Sequence, residues 1–133
     1  MEQTLLLIKP NVVKKQRIGE IIDILEKKGL VIKNIKMETL TRERAEGFYN
    51  VHRGKQFFDN LVAFMTSGPI VEVVLEHEHC IEYVREIIGS TDPAEAAEGT
   101  IRKKYADSLT ENAVHASDSL ENARIEIAFM FGG

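Results

Sequence analysis

Cysteine, tryptophan and proline are scarce in this chain. Cys80 is the only cysteine, so no disulfide can form within the chain, and that composition suits a reducing compartment. Tryptophan is absent. No apolar run approaches the ~20 residues that a membrane-spanning helix needs. No charged-then-apolar leader opens the sequence, and a cytoplasmic protein with no membrane association is the expectation. Positive charge is not in excess. A net charge of −4 argues against a global field that would draw the chain to nucleic acid, although a local cationic pocket is compatible with it. The phosphate-cradling patterns GxxxxGK[ST] and GxGxxG are both missing. No Cys/His spacing suits zinc. What is present is enough for one core. With 44% hydrophobic against 29% charged residues, the chain can bury apolar surface to offset its entropy, and residues 1–133 suit a single domain.

Hydrophobic patterning orders the elements. Thr4 to Ile8 is a short apolar run stopped by Lys9-Pro10, which predicts a strand buried on both faces. Ile18, Ile21, Ile22 and Leu25 have the spacing of an amphipathic helix, with Lys27 and Lys28 at its negative end and Gly29 as its stop. Val31 to Met37 predicts a second strand, and Thr41 can cap a short helix through about Phe48. Phe57 to Met65 predicts a helix ended by Ser67-Gly-Pro69. Ile70 to Leu75 predicts a strand, and His79 to Ile88 a helix. The turn-rich stretch from Gly89 to Thr100 is long for an idle loop, and Asp92, Pro93 and Glu95 could cap one helical turn in it. Asn112 to His115 predicts a brief strand. Asp118 to Glu121 has capping-box spacing ahead of an apolar stripe at Leu120, Ala123, Ile127 and Phe131. The order β-α-β-α-α-β-α-β-α predicts an α+β, ferredoxin-like sandwich: a four-stranded antiparallel sheet with helices covering one face.

Among candidate chemical groups, His77 and His79 flank Glu78 at a helix start, where a solvated charged face explains them better than a metal. His52 is expected in an exposed loop without a partner. His115 lies in a strand just before a helix N-terminus. The local pattern alone fits either a core histidine bonded to backbone or a reactive one. Its context favours the second. Helix N-terminal amides attract anions, Ser117 and Ser119 add hydroxyls, and Glu126 borders the helix stripe where a carboxylate can meet an imidazole. Lys9, Arg85 and Arg102 recur at element ends and could converge on a polyphosphate. Of Phe57 and Phe58, one suits the core and the other a stacking platform.

"TLLLIKP", "SGP" at 67–69, "GSTDP" at 89–93, "GTIR" at 99–102 and "NAVHASDS" at 112–119 stand in an order and spacing that closely resembles a nucleoside diphosphate kinase, from Thr4 to about Phe131. The resemblance implies magnesium-dependent exchange of the terminal phosphate between nucleoside tri- and diphosphates by ping-pong kinetics, mainly from ATP, serving NTP and dNTP pools. It implies His115 as the phosphorylated residue and Glu126 as the acid that orients it, with Ser117 supporting the histidine. Lys9 and Tyr49 would lie near the transferred phosphate. Arg85, Thr91 and Arg102 would hold the inner phosphates, and Asn112, with Lys9, the sugar hydroxyls. Phe57 would stack on the base with Leu109 across from it, and Asp118 is the candidate to reach Mg²⁺ through water. A homo-oligomer built on dimers is also implied. The end at Gly133 favours a tetramer over a hexamer, and the first amphipathic helix and second strand are expected to supply a shared face.

The sequence departs from the family pattern at Asn11, Gln56, Ala116 and Lys103-Lys104. Ala116, next to the histidine, stands where glycine is usual, and a negative φ there would accept it. Loss of Arg102 is expected to lower phosphoryl transfer much more than it changes folding stability. Two other classes fit less well. An RNA-binding module would carry a basic sheet face with aromatics on adjacent strands, and these strands are aliphatic. An inactive relative would not be expected to keep the set from Lys9 to Glu126.

Overall fold

The computed structural model describes residues 1–132. Strands β1 (Glu2–Ile8), β2 (Val31–Glu38), β3 (Ile70–His77) and β4 (Val114–Ala116) form one antiparallel sheet in the order β2-β3-β1-β4. The helices are α1 (Pro10–Lys14), α2 (Ile18–Lys27), α3 (Arg42–Phe48), α4 (Phe58–Met65), α5 (Cys80–Ile88), α6 (Ile101–Tyr105) and α7 (Leu120–Phe131). This is the ferredoxin-like α+β arrangement expected from the sequence. The continuous apolar run of β1 sits at the sheet centre, with Leu5 to Ile8 fully buried.

Burial on both sides of β1 reveals a difference from the expected single helical layer. Leu6, Ile8, Val73 and Leu75 pack beneath α2 and α5, against Ile21, Leu25, Val84 and Ile88. Leu5, Leu7 and Val74 pack on the opposite face, against Phe58, Val62 and Met65 of α4, Ala45 of α3 and Met130 of α7. Both faces are therefore covered. The alternation that assigns one face does not exist in a run of consecutive leucines, so the sequence of β1 left the second layer unspecified. Glu72 interrupts the second face of β3. It is fully buried, with Lys36 Nζ at 3.6 Å. Burial, and then Glu38 beside it, push its carboxyl up to about 8.

Local chemistry explains the element ends. Thr41 accepts from the amide of Arg44 and starts α3, as its position predicts. At α7 the cap falls one residue later than the capping-box spacing suggests. Ser119 accepts from the amide of Asn122, while Asp118 Oδ1 takes the Asn122 side-chain amide at 2.6 Å. Asp92 caps one short turn, and its carbonyl accepts from the amide of Glu95 at 3.0 Å. Its side chain accepts from the amide of Ala94 in a run of turns. Two short helices, α1 and α6, lie where no element was expected. Five residues are too few to display a period; Pro10 stands at the start of α1, and the Thr100 side chain caps α6 by accepting from the amide of Lys103.

Candidate functional site

The carboxyl end of β1, β4 and the ends of α3 and α5 border a cleft of about 460 Å³. At its floor, His115 in β4 is held by a residue eleven positions on. Its Nε2 lies 2.9 Å from Glu126 Oε1 in α7. Ser117 Oγ donates to the same oxygen at 2.7 Å, and accepts from the amide of Leu5 at 3.3 Å. Glu126 is thus an acceptor pinned from two directions. A carboxylate can only accept, so the proton sits on Nε2 and the lone pair on Nδ1. Phe48 and Tyr49 flank the ring edge-on, with centroids at 5.4 Å and 6.3 Å. The Tyr49 hydroxyl is buried without a protein partner among the described residues, and burial holds its pKa well above the ordinary tyrosine range.

The segment entering β4 is strained. Ala113 has φ of 79°, and the amide of Val114 donates to the carbonyl of Asn112 at 3.0 Å, closing a γ-turn. That turn places Asn112 over Lys9. Lys9 Nζ, buried, donates to Asn112 Oδ1 at 2.8 Å and to the carbonyl of Thr110 at 3.4 Å. Burial first, and then the Arg102 guanidinium, lower the Lys9 pKa to about 7. Asn112 also donates to the carbonyl of Thr91 at 3.4 Å, so the 89–100 loop reaches the cleft.

Arg102 is buried and spans two elements. It donates to the carbonyls of Gly89 and Val114, each at 3.0 Å. Its Nε has no partner among the described residues, and burial, with Arg85 nearby, lowers its pKa to about 10. Its side chain ties the helix-α5 exit to β4, so its removal carries a stability cost beside the expected loss of transfer. Gly89, at φ of 88°, has no room for a Cβ, which would meet Thr100 Oγ1 at 2.6 Å. Arg85 donates to the carbonyl of Ala116 at 3.3 Å. Asn11 donates to Asp107 and to the carbonyl of Glu111, each at 3.0 Å, which an aspartate there could not do. It steadies the loop that carries Leu109.

At the mouth of the cleft, Phe57 is 45% exposed and Leu109 63% exposed, while the neighbouring Phe58 is buried in the core. The division of roles between the paired phenylalanines thus has a geometric basis. Lys9, Tyr49, Phe57, Arg85, Thr91, Arg102, Leu109, Asn112, His115, Asp118 and Glu126 all line the cleft, and Ser117 lies buried behind it. Two neighbours escaped the sequence reading. His52 is half-buried, lines the cleft and packs against Tyr49 and Phe57, in place of the exposed loop position expected of it. Phe48 touches the His115 ring. Its signal was available, since it shares the end of α3 with Tyr49, but its apolar spacing reads only as core.

Three cations around a deep floor, an imidazole with a free nitrogen and an apolar mouth define a cleft suited to a phosphorylated ligand with a flat ring. The family model for nucleoside diphosphate kinase matches residues 2–133. The nucleoside diphosphate kinase of Chlamydia pneumoniae is 55% identical over 131 residues, covering 98% of this chain and 91% of that protein. The one from Wolinella succinogenes is 54% identical over 133 residues, covering 100% and 97%. The crystal structure of the Aquifex aeolicus nucleoside diphosphate kinase superposes with a TM-score of 0.97 at 47% identity, covering 99% of this chain and 96% of that one. The fold and cleft are those of a phosphotransferase. The chain belongs to the nucleoside diphosphate kinase family.

Proposed function

We propose that this enzyme moves the terminal phosphate of a nucleoside triphosphate, mainly ATP, to a nucleoside diphosphate through a phosphohistidine at His115, and so maintains NTP and dNTP pools. The observation that carries this reading is the Glu126 oxygen shared by His115 Nε2 and Ser117, which leaves Nδ1 as the ring's lone-pair nitrogen. In the first half-reaction, Nδ1 bonds to the terminal phosphorus while the bond to the bridging oxygen breaks, and the nucleoside diphosphate leaves. Glu126 stabilises the positive charge that the ring acquires. In the second, a terminal oxygen of the acceptor takes the phosphoryl group back from Nδ1. Lys9, Arg85 and Arg102 neutralise phosphate charge, Thr91 and Asn112 add polar contacts, and Tyr49 lines the path of transfer. Phe57 and Leu109 hold the base by its faces, which tolerates many bases.

The donor set fits Mg²⁺ that arrives on the nucleotide. Magnesium keeps several waters and takes few carboxylates. Asp118 is the cleft carboxylate not engaged with His115, and its Oδ1 is already met by Asn122, so contact through water suits it. The ion would add positive charge between the phosphates. A homo-oligomer with a dimer as its unit belongs to the same reading, with a tetramer favoured and a hexamer as the alternative. Val31, Ile35 and Met37 are about half exposed on the free edge strand β2. A cytoplasmic location, with no stable nucleic-acid or membrane partner, accords with the single cysteine and the acidic net charge.

Mixing the protein with Mg²⁺ and γ-labelled ATP, without acceptor, should label each chain with an acid-labile, base-stable phosphate. A nucleoside diphosphate should discharge it into the matching triphosphate. His115→Ala and His115→Gln should abolish both halves while the fold persists. Label that survives acid, or that forms in those variants, would place the nucleophile elsewhere.

A further inference from the structure

A hydrogen bond at Nε2 restrains the His115 ring less than its short length suggests. The ring turns about its Cβ–Cγ bond, and the line of that bond crosses the ring to emerge midway between Cε1 and Nε2. Rotation carries Nδ1 through a wider arc than Nε2, so one hydrogen bond at Nε2 limits the turn of the ring without fixing it. The torsion is intrinsically broad, so packing has to set it. The contacts able to do so come from the end of α3. The Phe48 ring meets the imidazole at 5.4 Å with 77° between planes, and Tyr49 meets it at 6.3 Å with 89°. Phe48 is itself wedged. It lies edge-on to Tyr49 at 4.9 Å and to Phe129 of α7 at 5.8 Å. Arg44 sits over the outer ring, Phe129, at 5.1 Å. Phe129 comes this near because Gly47 has no side chain; a Cβ there would meet its ring atoms at 3.1 Å and 3.2 Å.

We propose that Phe48, backed by Phe129 across the gap left by Gly47, is a positioning residue that fixes the rotation of the His115 ring and so aims Nδ1 along the transfer path. It touches no phosphate and rests on the reading of His115 as nucleophile. Glu126 selects which nitrogen reacts, and Phe48 selects where that nitrogen points. Phe48 itself does not line the cleft, whereas Phe57, Arg85 and Arg102 do.

The test is single-turnover phosphorylation by Mg-ATP together with nitrogen-15 spectra of the His115 ring. Phe48→Ala should slow phosphoryl transfer by roughly ten- to a hundredfold, as misaimed reacting groups do. The ATP dissociation constant should stay within about twofold, since no binding group is lost. The Nδ1 resonance should broaden or shift, while the Nε2 proton stays on Nε2. Phe48→Tyr, which keeps the ring, should restore the rate to within about threefold and restore the spectrum. Gly47→Ala, which pushes on Phe129, should slow transfer several-fold with the same unchanged ATP affinity. If Phe48→Ala does not fold, Phe48→Leu and Gly47→Ala decide by the same readings. Folded variants that transfer at the wild-type rate with the wild-type ring spectrum would overturn the proposal. So would a loss of ATP affinity that matches the loss of rate. A wild-type protein that takes no label at His115 would instead remove the nucleophile reading beneath it.

Discussion

The two ends of the cleft are built in opposite ways. At the deep end, Lys9, Asn112 and Arg102 are buried, and each is tied by hydrogen bonds to its neighbours or to backbone. At the mouth, Phe57 and Leu109 have exposed side chains, with the Phe57 ring against His52. Charged donors in a buried frame cannot reorganise cheaply, so they suit a group of fixed geometry such as a polyphosphate. Loosely held apolar faces suit a ring whose edge is not read. A substrate class with a constant phosphate chain and a variable base needs both.

The contrast breaks most severely at Arg102. Arg102→Ala should lower phosphoryl transfer by about a hundredfold or more, the scale of losing a charged group at a site of developing charge. It should also cost about 2 kcal/mol of stability, because two backbone carbonyls, of Gly89 and Val114, lose their charged donor. Urea unfolding alongside rapid-quench kinetics separates the two effects. At the mouth, Phe57→Ala should weaken purine and pyrimidine nucleotides alike by about tenfold and leave stability nearly unchanged. A base-selective defect, or unfolding, would remove the distinction between the two ends.

Lys9 sharpens the comparison through pH. Its folded pKa, about 7, lies below its ordinary 10.5, so the folded protein binds fewer protons than the unfolded chain between those values. The contribution of Lys9 to stability therefore rises with pH across that window and is lost as pH falls through it. A bound polyphosphate favours the charged lysine. Nucleotide binding at about pH 8 should then take up most of a proton, and at about pH 6 almost none, measured by calorimetry in buffers of different ionisation enthalpy. Equal uptake at both values would clear Lys9 of the linkage. The smallest effect is expected at Ala116. It lies in β4, outside the group of residues with positive φ, so Ala116→Gly should change turnover by less than about threefold. A large gain would show that the natural residue impairs the site.

The helices legible in sequence were those with a period and a stop. Residues 18–27 carried both, and so did residues 58–65. The α1 and α6 turns carried neither. Among site residues, His115 and Glu126 drew notice because polar groups beside apolar ones need partners. His52 and Phe48 did not, since a loop histidine and a helix phenylalanine each have an ordinary use.

By itself the sequence determined the strand at the centre of the sheet, the amphipathic helices that cover it and the family motifs. These are properties of neighbouring residues, written in local period and spacing. Only the tertiary structure decided that helices cover both faces, that Ser117 and His115 share one oxygen of Glu126, and that Arg102 is a strut as well as a charge. It also decided that Phe129 backs Phe48 against the imidazole. Those pairings join residues far apart in the chain, and their distances and burial arise only when the layers close on one another.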